Sequence, residues 1–274
     1  MIHRVAPFLL AVMLAACGET GDPQVPGGDP GQENRNAAEA QPEEDAVAGP
    51  TAGARSVTEE NDVWVFEYSY PEPAGRIPGL ALLLDDRLSK SQEELKELAM
   101  TARADADSNG FPFNPYSETT EWKVVTDLPR WLSLSAQIYN YTGGAHGNHF
   151  FDSLLWDREA DMAREPKDLF VSLDALEDAM REDYCRVLDR QRAEKRGSET
   201  LDADSPFSEC PPFADLTIIL GSSNNRSFDR IGFFAAPYVA GPYAEGSYEV
   251  TLPVTRAAKD AVKPEFTASF TATR

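Results

Sequence analysis

The chain has 274 residues with 46 acidic and 25 basic side chains, which gives a formal net charge of −21. Nucleic acid is not expected as a ligand, because binding to phosphates requires clustered lysine and arginine. A basic protein or a cationic surface fits the charge better, since an acidic field attracts such partners. The same charge would also result from a need for solubility or from adaptation to a salty habitat.

The N-terminus predicts a secretory signal over residues 1–16. Arg4 gives it a basic start, an apolar stretch follows from Val5 to Leu14, and two alanines precede Cys17. The apolar run is too short to span a bilayer. The segment LAAC resembles the bacterial lipobox, in which the signal is cut before the cysteine and the cysteine is lipidated. Cys17 is therefore the predicted lipidation site, with an incidental cysteine after an ordinary signal as the alternative.

Residues 17–56 predict a disordered tether. The segment after Cys17 has no aromatic residue, leucine or isoleucine, and it is rich in glycine, proline and acids. Such a composition cannot bury enough apolar surface to offset the entropy of ordering. Removal of the signal takes away Arg4, so the mature chain would carry one positive charge fewer.

The first predicted half, residues 57–157, mixes strands with one helix. Aromatic residues alternate with other side chains from Val63 to Tyr70, which is typical of a strand. A helix is predicted to begin at Pro78, with a leucine stripe, and to end before the breakers SNGFPFNP. Further strands are predicted at Trp122–Val125, at Trp131–Tyr141 and over HFFDSLLWD. The helix stripe consists of Leu80, Leu83, Leu84, Leu88, Leu95 and Leu98.

Alternation in the Trp131–Tyr141 strand predicts one buried and one wet face. Leu132, Leu134 and Ile138 belong to the buried face, and Ser133 belongs to the wet one. The following HFFDSLLWD segment has apolar residues at both odd and even positions, which indicates a strand covered on both faces or interrupted by a bulge.

The second predicted half, residues 158–266, has a long helix followed by short strands, and residues 267–274 are expected to form a tail. The helix is predicted over Asp168–Arg192 from a stripe that runs from Leu169 to Leu188. Three strands are predicted near 216–220, 228–234 and 248–254, with Pro253 marking an edge strand or a strand end. The predicted fold class is α+β, with mainly antiparallel sheets and one long helix packed in each half.

The two cysteines after Cys17 predict one disulfide. Cys185 lies at the edge of the helix stripe, and Cys210 follows in a loop. An even number of cysteines in an exported chain favours a bridge, with two buried free thiols as the alternative.

The segment YTGGAHGNHFFD, residues 141–152, is the main candidate for a site. Its glycines are expected to supply backbone angles that other residues avoid, while His146 hydrogen-bonds a nearby carbonyl or carboxylate. A ligand-binding loop is the second interpretation. In an extended segment His146 and His149 would point to opposite faces, and Asp152 would lie about 20 Å from His146, so no metal site is predicted.

Catalytic patterns are weak elsewhere in the chain. Ser222 and Ser223 lack the G-x-S-x-G elbow, although a serine–histidine–acid triad stays formally open. With 46 acidic residues, some close pair of carboxylates is inevitable. We therefore predict no catalytic residue and no cofactor, and keep a hydrolase or metal-binding protein that uses His146 as the alternative.

Three segments together resemble a known family. They are YTGGAHGNHFFDSLLWD, KDLF, and GFFAAPYVAGPYAEGSYEVTLP. They resemble the paired extracytoplasmic domains of unknown function in RsiV-type anti-sigma factors and PdaC-type cell-wall enzymes, over about Val63 to Phe266. The resemblance implies an envelope-facing binding or sensing module, of which free-standing lipoproteins are common forms. Some family members recognise lysozyme-type hydrolases.

This resemblance and the signal together define the expected function. We expect a non-enzymatic lipoprotein of the bacterial cell envelope, anchored to the inner or outer membrane and facing the periplasm or the exterior. Its expected partners are the membrane, through the N-terminal lipid, and either a basic cell-wall hydrolase or a peptidoglycan fragment. The candidate ligand-binding residues are Tyr141, Thr142, Gly143, Gly144, His146, Asn148, Tyr238 and Tyr243. Tyr139 could join Tyr141, Tyr238 and Tyr243 in an aromatic surface that binds a glycan or a protein.

Overall fold

The computed structural model describes residues 53–197, 205 and 207–273, all of which belong to one compact unit. The predicted signal, the lipidation site Cys17 and nearly all of the predicted tether lie outside the described residues. No helix within the described part combines the length and apolar character needed to cross a membrane.

The described part contains runs of consecutive strands separated by helices. In chain order they are β1 (Arg55–Glu60), β2 (Trp64–Tyr70), α1 (Glu72–Gly75), α2 (Pro78–Asn109), β3 (Tyr116–Asp127), β4 (Trp131–Tyr141), β5 (Asn148–Asp157), β6 (Met162–Arg164), α3 (Leu173–Arg196), β7 (Thr217–Gly221), β8 (Arg230–Ala235), β9 (Tyr248–Pro253) and α4 (Arg256–Asp260). Short 3₁₀ helices lie at Pro166–Leu169, Phe213–Asp215, Tyr243–Glu245 and Pro264–Ser269.

The strands form a six-stranded sheet in the order β1 to β6 and a three-stranded sheet in the order β7-β8-β9. Strands β2 and β3 are parallel, because α2 connects them, and the other neighbouring strands are antiparallel. The predicted α+β class with mainly antiparallel sheets and two long helices is confirmed. Since β6 joins β5 in one sheet, the predicted division after residue 157 falls inside that sheet.

Each face of the larger sheet packs against a different layer. Phe66, Trp122 and Leu134 pack with α2 on one face. On the other face, Trp131 and Leu155 join a second core formed with α3 and the smaller sheet. This second layer covers only one end of the sheet, where β7 contacts β3, β4 and β5. The other end of the same face remains open and forms part of the candidate site.

Packing explains two errors in the predicted burial. Ser133 was predicted to face water but is only 1% exposed, because its neighbour across the strand pair, Leu155, belongs to the second core. Leu98 was predicted in the buried helix stripe but is 56% exposed. Its place is taken by Ala99, which is fully buried.

Several predicted boundaries also differ from the structure. Strand β1 was not predicted, and it begins at Arg55, inside the predicted tether. The second long helix was predicted from Asp168, but Asp168 lies in a 3₁₀ helix, and α3 begins after Ser172, whose hydroxyl accepts a hydrogen bond from the Ala175 amide. The predicted tail contains Phe270, which is 1% exposed and packs against Phe228.

One covalent and one ionic feature link separate elements of the fold. The predicted disulfide between Cys185 and Cys210 is confirmed. Asp157 is buried and accepts hydrogen bonds from Arg130 at 2.9 and 3.0 Å and from Arg164 at 3.2 Å. Burial alone would raise the pKa of the Asp157 carboxyl, but these hydrogen bonds and charges outweigh it and hold the pKa below its usual value.

Candidate functional site

The glycine-rich segment forms the loop between β4 and β5. Gly143 and Gly144 have φ angles of +94° and +91°, which L-residues with a side chain rarely adopt. Gly147 is needed for a different reason, because a Cβ there would lie 2.4 Å from the Tyr139 ring. The predicted conformational role of the glycines therefore agrees with the geometry of the loop.

Three aromatic side chains meet beside this loop, and we call them the aromatic cluster: His146, Tyr238 and Tyr243. The His146 and Tyr243 rings stack with centroids 3.8 Å apart and an interplanar angle of 16°. The Tyr238 ring lies 5.7 Å from Tyr243 and 6.4 Å from His146. Residues almost a hundred positions apart in the chain thus form one aromatic surface.

Hydrogen bonds orient the members of the cluster. The carbonyl of Gly147 accepts a hydrogen bond from the Tyr243 hydroxyl at 2.9 Å and lies 3.0 Å from Nδ1 of His146. Since a carbonyl only accepts, this contact requires the proton on Nδ1. Nε2 faces the Tyr238 hydroxyl at 3.4 Å, and in the neutral imidazole it would carry the lone pair.

The backbone of Tyr238 is unusual for a residue with a large side chain. Its φ is +71°, in the left-handed region, and its side chain is 51% exposed. The Val239 amide donates to the Ala236 carbonyl at 3.1 Å, which closes a tight turn with Pro237 and Tyr238 at its centre. Glycine or asparagine would fit such a position with less strain.

A groove continues from the cluster along the open end of the larger sheet. It consists of two adjoining clefts of about 270 and 380 Å³, which share His149 and Ser247. Its floor comes from the sheet, and Ser247 and Glu249 form part of the opposite wall. The sheet residues that line the groove are Thr119, Glu121, Gln137, Ile138, Tyr139, His149, Phe150 and Phe151. We call this the aromatic groove.

The turn that carries Tyr243 is fixed to the end of α3. Glu245 accepts hydrogen bonds from Arg196 at 2.8 and 3.0 Å and another from the Tyr248 hydroxyl. Burial alone would raise the pKa of Glu245, but these hydrogen bonds outweigh it and keep the pKa below its usual value. Lys195 donates to the Glu245 carbonyl at 2.8 Å. The wall of the groove is therefore preorganised by the helix.

The remaining candidates lie apart from the cluster. The Tyr141 hydroxyl donates to the Gly144 carbonyl at 3.2 Å, so it braces the loop. Asn148 is exposed and pairs with Asn140 at the start of β5. Thr142 faces a different groove, beside α2. Of the eight candidates, the structure thus brings together His146, Tyr238 and Tyr243.

Sequence reasoning missed several residues of the groove. His149 was considered only as a metal ligand, yet its ring lies 5.0 Å from Tyr139 on the floor of the groove. Ser247 and Glu249 lie in a segment that carries the family resemblance, but they were not named as candidates, because they approach the sheet only through tertiary packing. One sequence signal was available in β5. His149 and Phe151 are two residues apart, which places both side chains on the same face of the strand.

No group of three or more histidine, cysteine, aspartate or glutamate residues within the described part could hold a metal ion. The hydrogen-bonding partners of His146 there are the carbonyl of Gly147 and the hydroxyl of Tyr238.

Comparisons with known proteins give a family for part of the chain. The family model described as deacetylase PdaC matches residues 57–149. Among solved structures, the fold is similar to a DUF3298 family protein from Pseudomonas aeruginosa PAO1, with a TM-score of 0.46, 16% identity, and coverage of 82% of this chain and 99% of that one. It is also similar to a DUF3298 family member from Bacteroides fragilis NCTC 9343, with a TM-score of 0.49, 15% identity, and coverage of 79% and 97%. No protein with a curated description matches the chain. The predicted resemblance is confirmed over residues 57–149, where the chain is similar to the PdaC family model.

Proposed function

We propose that this protein is a non-enzymatic binding module of the bacterial cell envelope, and that its ligand is a peptidoglycan-type glycan bound at the aromatic cluster. One observation carries the proposal. Tyr238 keeps a half-exposed aromatic ring on a left-handed backbone, beside the stacked rings of His146 and Tyr243. Strained residues on rigid scaffolds concentrate at functional sites, and half of the Tyr238 side chain stays exposed in the free protein despite this strain.

The chemistry of the groove suits a sugar chain. The C–H bonds on one face of a pyranose ring carry partial positive charge, and they pack against the negative face of an aromatic ring. Gln137, Ser247 and Glu249 line the adjoining groove, where they can exchange hydrogen bonds with sugar hydroxyls. Apolar surface with a few placed polar groups is the usual composition of a small-molecule site.

The predicted lipid anchor and tether fit a module held at a membrane. A lipid on Cys17 followed by a polar tether would present the domain to the cell wall, since a lipid anchor and a flexible linker together set its reach. We expect Cys17→Ser to leave the protein as an uncleaved or soluble precursor. Cell fractionation in which this variant is still processed and bound to the membrane would contradict lipidation.

Titration with soluble peptidoglycan fragments tests the binding site. Isothermal titration of the mature chain should detect binding, and Tyr238→Ala should weaken it about tenfold, as is typical for loss of a central aromatic contact. Phe111→Ala is the matched control, because Phe111 is a 64% exposed aromatic residue outside the groove. Equal binding by Tyr238→Ala and the wild type would contradict the proposal.

The same samples distinguish the other interpretations. A basic lysozyme-type hydrolase, used as a second probe, would be the ligand if its binding depended on Tyr238 while the glycan fragments did not bind. Cleavage of the fragments, or a stoichiometric metal ion, that disappears in a folded His146→Ala variant would favour the hydrolase or metal-binding alternative.

A further inference from the structure

A second groove runs along the C-terminal half of α2, on the other side of the β4–β5 loop. It has a volume of about 890 Å³, and we call it the helix groove. Eleven residue steps separate its first and last helix residues, which is about 16 Å of helix. Tyr116 and Thr142 form the opposite wall. The residues from α2 are Glu94, Glu97, Leu98, Thr101, Ala102 and Asp105, which lie on one helix face.

The carboxylates of this groove, Glu94, Glu97 and Asp105, form no salt bridges within the described part of the protein. The basic residues of α2 are instead paired with other carboxylates: Arg87 with Asp152, Lys90 with Asp86, Lys96 with Glu59, and Arg103 with Asp107. The helix groove therefore has a negative rim that the fold itself does not neutralise.

The floor of the groove is apolar. Leu98 is 56% exposed there, and Ala102 lines the same surface. Leu98 has the helical spacing of a core residue but points away from the core, which explains why its predicted burial was wrong. An exposed leucine between unpaired carboxylates resembles the arrangement of a groove that receives an amphipathic helix.

We propose that the helix groove docks a cationic amphipathic helix of a partner protein. The apolar face of that helix would cover Leu98 and Ala102, and its lysine or arginine side chains would pair with Glu94, Glu97 and Asp105. Charge complementarity selects this occupant. A second copy of the chain has a formal net charge of −21 and the segment before the domain is also acidic, so both would be repelled.

A synthetic peptide is a suitable probe, because the partner need not be identified. The probe is an 18-residue amphipathic helix of leucine and lysine carrying a fluorescent label, and its anisotropy is measured as the mature full chain is added. We expect Glu94→Gln combined with Glu97→Gln to weaken binding on the order of tenfold. Leu98→Asn should weaken it several-fold through loss of the apolar contact.

The control variant combines Asp178→Asn with Glu182→Gln on α3. These carboxylates are also exposed, lie four residues apart on a helix, and make no salt bridge in the described part. The control removes the same charge from a distant surface, so it should bind the peptide like the wild type. Since all substituted residues are exposed, circular dichroism should show unchanged folding.

Any of three results would overturn the proposal. One is equal weakening by the groove variant and the control variant, which would indicate attraction by net charge alone. The second is unchanged binding in the groove variant, and the third is equal binding of a sequence-scrambled peptide with the same charge. The result is independent of the proposed glycan site, because Tyr238→Ala should leave peptide binding unchanged and the helix-groove variant should leave glycan binding unchanged.

Discussion

The left-handed backbone of Tyr238 gives a prediction with an unusual sign. We compare Tyr238→Ala with Tyr238→Gly. Both variants lose the same side-chain contacts, namely the packing against Tyr243 at 5.7 Å and the 3.4 Å contact with Nε2 of His146. They differ in how well the new residue tolerates a φ of +71° and in the conformational entropy that it loses on folding.

The magnitude follows from two opposing terms. The left-handed conformation destabilises a residue with a Cβ by about 1–2 kcal/mol, and it does not destabilise glycine. Glycine in turn loses about 0.5–1 kcal/mol more conformational entropy on folding. We therefore expect Tyr238→Gly to be more stable than Tyr238→Ala by about 0.5–1 kcal/mol, or about 1–4 °C in Tm for a domain of this size.

Urea unfolding followed by circular dichroism, with a thermal melt of each variant, measures this difference. Met100→Ala and Met100→Gly form the control pair, because Met100 is 60% exposed within α2. There the order should reverse, with glycine less stable than alanine by about 1 kcal/mol. If Tyr238→Ala proves as stable as Tyr238→Gly or more stable, the argument that strain is maintained at Tyr238 fails.

Three further predictions concern the supporting structure. Cys210→Ser should lower the free energy of unfolding by about 3 kcal/mol, because the bridge closes a separation of 25 residues; rapid alkylation of both thiols in the native, unreduced protein would contradict the bridge. In thermal melts, Gly144→Val should be less stable than His146→Ala. Valine is strained at a φ of +91°, whereas His146→Ala removes about one hydrogen bond. The opposite order would show that the histidine, not the glycine, determines the conformation of the loop. Asp157→Asn should cost about 2–4 kcal/mol at pH 7, because it breaks a buried ion pair whose arginines retain some exposure. The folded pKa of Asp157 is lowered, so its stabilisation is complete above the unfolded pKa near 3.9 and is lost as the pH falls through the folded pKa; urea titrations in which the gap between variant and wild type is the same at pH 3 as at pH 7 would contradict this.

Local sequence patterns predicted most of the elements. Alternation gave β4 with both ends correct at Trp131 and Tyr141, and a first-turn proline gave the start of α2 at Pro78. These signals are local, because the period of a strand or helix is set by backbone geometry within a few residues. The positive φ of Gly143 and Gly144 was foreseen for the same reason, since glycine favours conformations that other residues avoid.

Errors arose where burial depends on distant parts of the chain. Leu98 and Ser133 have the spacing of a core residue and of a surface residue, respectively, and the neighbouring layers reverse both roles. Strand β1 was missed because RSVTEE is too polar to predict a strand alone, and it forms by pairing with β2. Such pairing partners cannot be read from a short window.

For the candidate site, the sequence by itself determined the composition: a glycine-rich loop with His146 and two tyrosine-containing segments that resemble one family. Only the tertiary structure decided which of these residues meet. Stacking of His146 on Tyr243, the left-handed turn at Tyr238 and the groove beyond His149 all depend on the smaller sheet covering just one end of the larger one. That extent is set by how two separately formed cores pack together, and packing between layers leaves no periodic signal in the sequence.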